Sequence, residues 1–430
     1  MKTTVRSFVF QRFATIRLII LFLLLVFFLF PATAHSSGFR ITNCSIGAVG
    51  LSGAHVAYTL GPDASYYNPA NMSFLPDHWQ LETSLTVLHL PAIEYIDDRG
   101  PLFKGHSEEE FFYLPLVHVA TEQFGKLRYG FSLVYPYGLS KQWQQVYPKV
   151  FAEEFSLLTI EINPTAAFAA TDWLSIGGGL RVVYGKGEVK NEIGGFWSPI
   201  TLNRSSTGKD SNLGYNLAVS IRPESQWSIA ATYRSEVRLN LDGDSDFSMS
   251  NGFTSPYSGR GEVDISMPAV LSIATAYSWG KLTVEVGWDR TFWSSFEDLD
   301  FVYHPELMGT PYTLFDIVLR KNWDDADAYR LGLSCAWNER WTSTFGIASE
   351  RTPVPSATLG FELPDADAMV YSAGIRYRHS AALEYGLSYM YYRTNTRAVD
   401  AAVDGNLSGI DGRFTDGGAH ALTIGLITTF

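Results

Sequence analysis

The sequence predicts an all-β protein, a 14-stranded antiparallel transmembrane β-barrel with an N-terminal plug, or hatch, in its lumen. About fourteen segments alternate apolar with polar or small residues at period two, the pattern of a strand that meets a different environment on each face. The joints between these segments alternate between short turns and long polar loops, as they do in outer-membrane barrels. Beyond residue 34 no apolar stretch approaches the roughly 20 residues of a membrane-spanning helix. Yet 14% of all residues are aromatic, as a barrel with aromatic girdles at both bilayer interfaces requires.

The first element is an export signal. Residues 1–17 carry Lys2, Arg6, Arg12 and Arg17 and no acid. An unbroken apolar run, Leu18 to Phe30, follows, and then Pro31 and the small-x-small triplet Ala32-Thr33-Ala34. Basic, short apolar and small-residue regions in this order read as a secretory signal cleaved after residue 34. The run is too short for a spanning anchor. Removing the four basic residues makes a chain of formal charge −12 more acidic still, which excludes nucleic acid as a partner. Two cysteines, Cys44 and Cys335, cannot make a disulfide framework in so long a chain.

The strands fall at 79–90, 112–121, 127–138, 155–170, 173–189, 211–223, 226–241, 263–279, 281–296, 323–338, 340–351, 365–379, 382–397 and 417–430. The alternation is plain in Leu282, Val284, Val286 and Trp288 against Thr283, Glu285 and Gly287. Ala170-Thr171-Asp172, Pro223-Glu224-Ser225, Trp279-Gly280-Lys281 and Asn338-Glu339-Arg340 are tight turns of the periplasmic type. The stretches 190–210, 242–262, 297–322 and 398–416 read as long polar loops. An even strand number puts both ends of the barrel on the periplasmic side. Many strands exceed the roughly 9–11 residues needed to span, so the barrel should project above the membrane. The chain closes on Phe430, a terminal aromatic of an alternating strand.

Residues 35–77 do not fit the barrel, residues 78–430. Rich in glycine and moderately apolar, they are too few to bury a core of their own. Their place is the lumen, as a plug; a disordered periplasmic tail is the alternative, against which their aromatic content speaks.

Gly38-Phe39, the glycine-rich segment after it and Asn68-Pro69-Ala70 resemble the opening of the FadL family of long-chain fatty acid transport proteins. The likeness continues in order through Tyr137-Gly138-Leu139, Tyr233-Arg234-Ser235-Glu236-Val237, Asp327-Ala328-Tyr329-Arg330, Thr352-Pro353-Val354-Pro355 and Leu363-Pro364-Asp365-Ala366-Asp367. The resemblance implies a fourteen-strand barrel in the bacterial outer membrane, working as a monomer. Its partners would be a hydrophobic small-molecule ligand and the outer-membrane lipid. The ligand would be caught at the extracellular loops and held in the barrel. Movement of the hatch N-terminus, Gly38 and Phe39, would then release it sideways through the wall at a kinked third strand. Long-chain fatty acids are the implied cargo; neutral aromatic or aliphatic hydrocarbons are the alternative.

The residues agree with that route. Pro136 cannot donate a ladder hydrogen bond and Gly138 tolerates a bent backbone, so a wall strand carrying Tyr135-Pro136-Tyr137-Gly138 opens there at least cost. An ordinary strand end at Pro136 is the plainer reading, and Pro136 itself departs from the family pattern. By the same resemblance, Lys321 stands where the family has a ligand-contacting lysine. The family's arginine beyond the fifth strand maps near Lys190-Asn191, and Glu350 takes an acidic position facing the plug. The nine histidines show no spacing suited to a metal site, and neither a metal nor a cofactor is expected. Gly177-Gly178-Gly179 lies inside a strand, where small side chains leave room for the plug, and is no phosphate cradle. Asp242-Gly243-Asp244-Ser245-Asp246 begins like a calcium loop but has Phe247 and Phe253 where glycine and glutamate are needed. An outer-membrane enzyme would need a nucleophile constellation, and no such motif appears. A general porin would have no use for an apolar plug.

Overall fold

The computed structural model describes residues 38–59, 61–195, 198–250 and 256–430. The predicted signal segment 1–34 lies outside the described residues, as do the first three residues of the predicted hatch. The wall consists of β1 (Gln80–Leu90), β2 (Glu110–Ala120), β3 (Leu127–Val134 and Gly138–Gln142), β4 (Glu154–Ala169), β5 (Leu174–Ile193), β6 (Leu202–Glu224) and β7 (Trp227–Arg234 and Val237–Met249). It continues with β8 (Tyr257–Met267 and Val270–Trp279), β9 (Leu282–Thr291), β10 (Ala326–Ala336), β11 (Trp341–Glu350), β12 (Ala368–Arg378), β13 (Leu383–Thr394) and β14 (Gly418–Thr429). Each strand pairs antiparallel with its neighbours, and β1 closes the cylinder on β14 with Gln80 opposite Thr429. With the three interrupted strands counted once and the loop strand Phe301–His304, which pairs only with Arg260–Val263 of β8, set aside, this is a closed antiparallel barrel of fourteen strands.

Its faces invert those of a soluble protein. Leu180, Leu213 and Ile424 point outward and are 62%, 66% and 60% exposed. Glu82, Arg128, Glu161, Arg181 and Arg330 point inward and are buried. Only a lipid surround makes an exposed apolar band favourable over the whole outer wall.

Two of the predicted long loops are shorter than expected. Strands β5 and β6 run on as a hairpin to the pair Ile193–Leu202, and β7 and β8 pair up to Phe247 and Tyr257. Above the lipid both faces meet polar surroundings, so the outer positions no longer need apolar residues and the stretch reads as a loop. Asp242, Asp244 and Asp246 lie on the solvent side of β7, where Arg260 of β8 pairs with Asp242 and Asp244. Leu241 and Phe247 on the other side are buried. The third strand, expected at 127–138 with a kink at Tyr135-Pro136-Tyr137-Gly138, is interrupted at Tyr135–Tyr137 and runs on to Gln142.

The loops at the end opposite the termini fold over the lumen. A four-stranded sheet of Arg397–Val399, Gly412–Thr415, Glu94–Asp97 and Gly105–His106 lies there. Burial pushes the Asp97 carboxyl up, but hydrogen bonds from Arg99 and Tyr95 outweigh it and leave that carboxyl below the usual range. Beneath the sheet Trp143, Tyr95, Phe361 and Phe414 share one apolar cluster with Phe39 and Trp293.

Candidate functional site

Residues 38–59 and 61–77 thread the lumen as two short helices, α1 (Ile46–Gly50) and α2 (Ala64–Tyr67), and a 3-10 turn, Pro69–Phe74. Ser45 caps α1 by accepting from the N–H of Ala48 at 3.1 Å. Side chains from all round the wall satisfy the backbone of this irregular segment, as burial demands. Glu285 of β9 accepts from the N–H groups of Val56, Ala57 and Tyr58 at 2.6, 2.9 and 2.9 Å. Glu82 of β1 accepts from the N–H of Ile46 at 3.0 Å. The guanidinium of Arg128 donates to the carbonyls of Met72, Leu75, Pro76 and His78 at 2.5–3.1 Å. Within the segment Asp63 meets His55 at 2.8 Å. Burial opposes the charge on Asp63, but the imidazole beside it prevails and holds the carboxyl well below the usual range.

The Asn68-Pro69-Ala70 motif is a joint between plug and wall. The Asn68 amide donates to the carbonyl of Val56 and to Ser220 Oγ of β6, both at 2.8 Å, while its oxygen accepts from the N–H of Ala70 at 3.1 Å. Pro69 opens the 3-10 turn at its first position, where it needs no N–H. Gly177 of β5 faces this turn so closely that a Cβ there would lie 2.5 Å from the Ala70 nitrogen. The glycine run in β5 thus makes room for the plug.

The break in β3 is the second half of the site. Leu127–Val134 pairs with β4 on one side and, through Gly130–Leu133, with Val117–Ala120 of β2 on the other. Gly138–Gln142 pairs with β4 alone. Between these halves Tyr135-Pro136-Tyr137 leaves the ladder, and residues 110–116 of β2 face no ladder partner from β3. The start of the described hatch bonds from the inside to the β3 side of the break. The N–H of Ile41 donates to the Pro136 carbonyl at 2.8 Å, and the N–H of Gly138 donates to the Phe39 carbonyl at 2.9 Å. Phe39 lies in an aromatic cage, with ring centroids 4.6 Å from Trp293, 5.7 Å from Trp323, 5.8 Å from Phe296 and 6.0 Å from Tyr137. Gly38, at a φ of +63°, packs flat on the Trp293 indole where a side chain would collide.

A cavity of 380 Å³ adjoins this break. Its lining is mainly apolar and includes Phe39 and Ile41 of the hatch, Phe112 and Leu114 of β2, and Val370 and Met390 across the lumen. It also includes Leu158 of β4 and Lys186 of β5, which belong to the outward faces of their strands. One cavity therefore borders both the lumen and the outer face of the wall.

Gly38, Phe39 and Gly138 converge on that cavity, with Tyr135, Pro136 and Tyr137 forming the adjacent break. Glu350 lines it too and pairs with Arg330 at 2.7 Å, and Arg330 donates to the hatch carbonyl of Ser52 at 2.8 Å. The structure does not bring Lys321 or Lys190 to the cavity lining. Lys321 is buried in an ion pair with Glu362, and Lys190 pairs at 2.7 Å with both Glu154 and Glu188. A different lysine, Lys141, lines the cavity. Sequence reasoning missed Lys141 and Glu285. Glu285 could have been flagged as an acid at an inward-looking position of a membrane strand; Lys141 follows the break, where alternation gives no guide. Both cysteines are free, and burial pushes the Cys44 thiol up to about 12.

A closed fourteen-strand barrel with an apolar outer band, an internal plug and a break in its third strand is the architecture of a transport protein of the bacterial outer membrane. The chain belongs to the family of outer membrane transport proteins described as OMPP1/FadL/TodX, whose model matches residues 28–430. It is an outer-membrane transporter of the FadL/TodX type for hydrophobic molecules, and not an enzyme. It is similar to the long-chain fatty acid transport protein of Escherichia coli O6:H1, at 26% identity over 65% of this chain and 68% of that one. Among solved structures it is similar to a Pseudomonas aeruginosa FadL homologue, with a TM-score of 0.80 at 18% identity over 92% of this chain and all of the other. The Pseudomonas putida toluene transporter TodX gives a TM-score of 0.72 at 16% identity, over 92% of this chain and 99% of that one.

Proposed function

We propose that the protein delivers long-chain fatty acids into the outer membrane by plug-gated lateral diffusion through the break in β3. One observation carries the reading: a single apolar cavity is bordered both by hatch residues in the lumen and by outward-facing residues of β4 and β5, beside a stretch of β2 that is paired with β1 but has no partner on its β3 side. A ligand there need not cross water to reach lipid. The gate is the hatch N-terminus. Withdrawal of Phe39 from its cage, with loss of the two backbone hydrogen bonds to the β3 break, widens the way from the lumen to the opening. Asn68, Pro69 and Ala70 hold the rest of the plug while its leading end moves. Glu350, through Arg330, ties the Ser52 turn to the wall.

Uptake of neutral hydrocarbons by the same route is a second reading. It is favoured by the ion pairs that occupy Lys321 and Lys190, the two lysines expected to meet a headgroup. Binding of labelled oleate and of toluene to the purified protein separates the two. Proteoliposome swelling in sugars tests the route common to both. Slow swelling is expected of a plugged barrel; fast swelling would show an open aqueous pore and end the proposal.

A further inference from the structure

We infer that Lys141 is the residue that recognises an anionic headgroup, so that the cavity beside the β3 break selects amphiphiles carrying a carboxylate over neutral hydrocarbons. The inference rests on the proposed use of this cavity by hydrophobic cargo, and it names the group that sets the cargo's charge.

Lys141 lies three residues past Gly138, in the half of β3 that pairs only with β4, opposite Phe155. Its side chain lines the cavity and it is 6% exposed. Among the described residues its ammonium has no hydrogen-bond or ion-pair partner. A buried ammonium with no hydrogen-bonded partner is costly.

The acids of the cavity lining are engaged elsewhere. Glu350 is held by Arg330. Asp365 accepts from Thr352 Oγ1 at 2.7 Å. Glu110, at the end of β2 across the break, is the acid whose charge reaches Lys141; it accepts from Ser140 Oγ with one oxygen and makes no ion pair with the ammonium. Of the other cations in the lining, Arg40 pairs with Asp289 at 3.5 Å, and Lys186 is exposed on the outer face. Among the cations of the lining, Lys141 alone therefore combines burial, an apolar surround and an ammonium that makes no hydrogen bond or ion pair. A carboxylate placed there gains a charge-assisted hydrogen bond in a low-dielectric site, while its alkyl chain lies along Leu114, Val370 and Met390.

The test compares two probes with the same chain, oleate and oleyl alcohol, on the purified full-length barrel. Lys141→Met keeps most of the stem and removes the charge. It should weaken oleate binding roughly 10- to 100-fold, the range of one charge-assisted hydrogen bond, and leave oleyl alcohol binding unchanged. Lys141→Arg should restore oleate binding. Retained oleyl alcohol binding also shows that the Met variant is folded. Unaltered oleate binding in Lys141→Met overturns the inference, and so does an equal loss of both probes. A wild-type protein that binds neither probe overturns the proposed function as well.

Discussion

Glu285 offers a measurable handle on the plug. Its carboxylate, buried in the wall of β9, gathers three consecutive hatch N–H groups, those of Val56 and Ala57 on one oxygen and that of Tyr58 on the other. In Glu285→Gln the amide oxygen can keep the first two, but the amide nitrogen is itself a donor and confronts the Tyr58 N–H. The variant therefore loses one charge-assisted hydrogen bond and strands one buried donor, a cost of about 1.5–3 kcal/mol. If that cost falls on the docked state of the hatch alone, local opening becomes roughly 10- to 150-fold more frequent. Hydrogen–deuterium exchange of the purified protein reads this directly. Protection at Val56, Ala57 and Tyr58 should fall by that factor, while the amides of the β8–β9 ladder keep theirs. Unchanged protection of the three hatch amides would refute the assignment of Glu285 as an anchor. An equal loss throughout the barrel would refute its restriction to the plug.

Two further substitutions address the joint at Asn68-Pro69-Ala70. Gly177→Leu places a side chain against the backbone of Pro69 and Ala70, so the hatch should undock from β5, at an overpacking cost of about 1–3 kcal/mol, and single-channel conductance in planar bilayers should rise above wild type. Asn68→Ala removes the amide that joins the Val56 carbonyl to Ser220, both of which Asn71 still bonds, and leaves the buried N–H of Ala70 without its acceptor at a cost of about 1–3 kcal/mol, so protease sensitivity of residues 56–74 should increase with the barrel intact.

Much of the barrel was legible because lipid imposes a strict rule on one face of every strand. Leu282, Val284, Val286 and Trp288 show it without help from any partner strand. The rule lapses above the membrane, and there the sequence misled: Asp242, Asp244 and Asp246 looked like loop and are strand. The break in β3 was legible through Pro136, which cannot serve a ladder, but its outcome was not. That the hatch backbone at Phe39 and Ile41 would take up the pairing is a contact between residues nearly a hundred positions apart. The anchoring charges were hardest to read. Whether an inward lysine is spent on a neighbour, as Lys321 is on Glu362, or left for a ligand, as Lys141 is, depends on side chains that only the closed barrel brings together.

The central claim is that cargo leaves through the side of the barrel, and Leu158 tests it most directly. This residue is 39% exposed on the outer face of β4, at the rim of the cavity, where nothing placed on it can obstruct a path down the barrel axis. Leu158→Cys can be labelled selectively once Cys335 is replaced, because the Cys44 thiol is buried and pushed up to about 12 by that burial. The measurement is the initial rate of oleate uptake by cells, before and after a bulky maleimide is attached. The same label on Leu213→Cys, outward-facing on β6, serves as the control. Lateral exit predicts a steep loss of uptake for the adduct at 158 and none for the adduct at 213. Uptake that is untouched by the adduct at 158 would contradict the account and point to passage along the barrel axis.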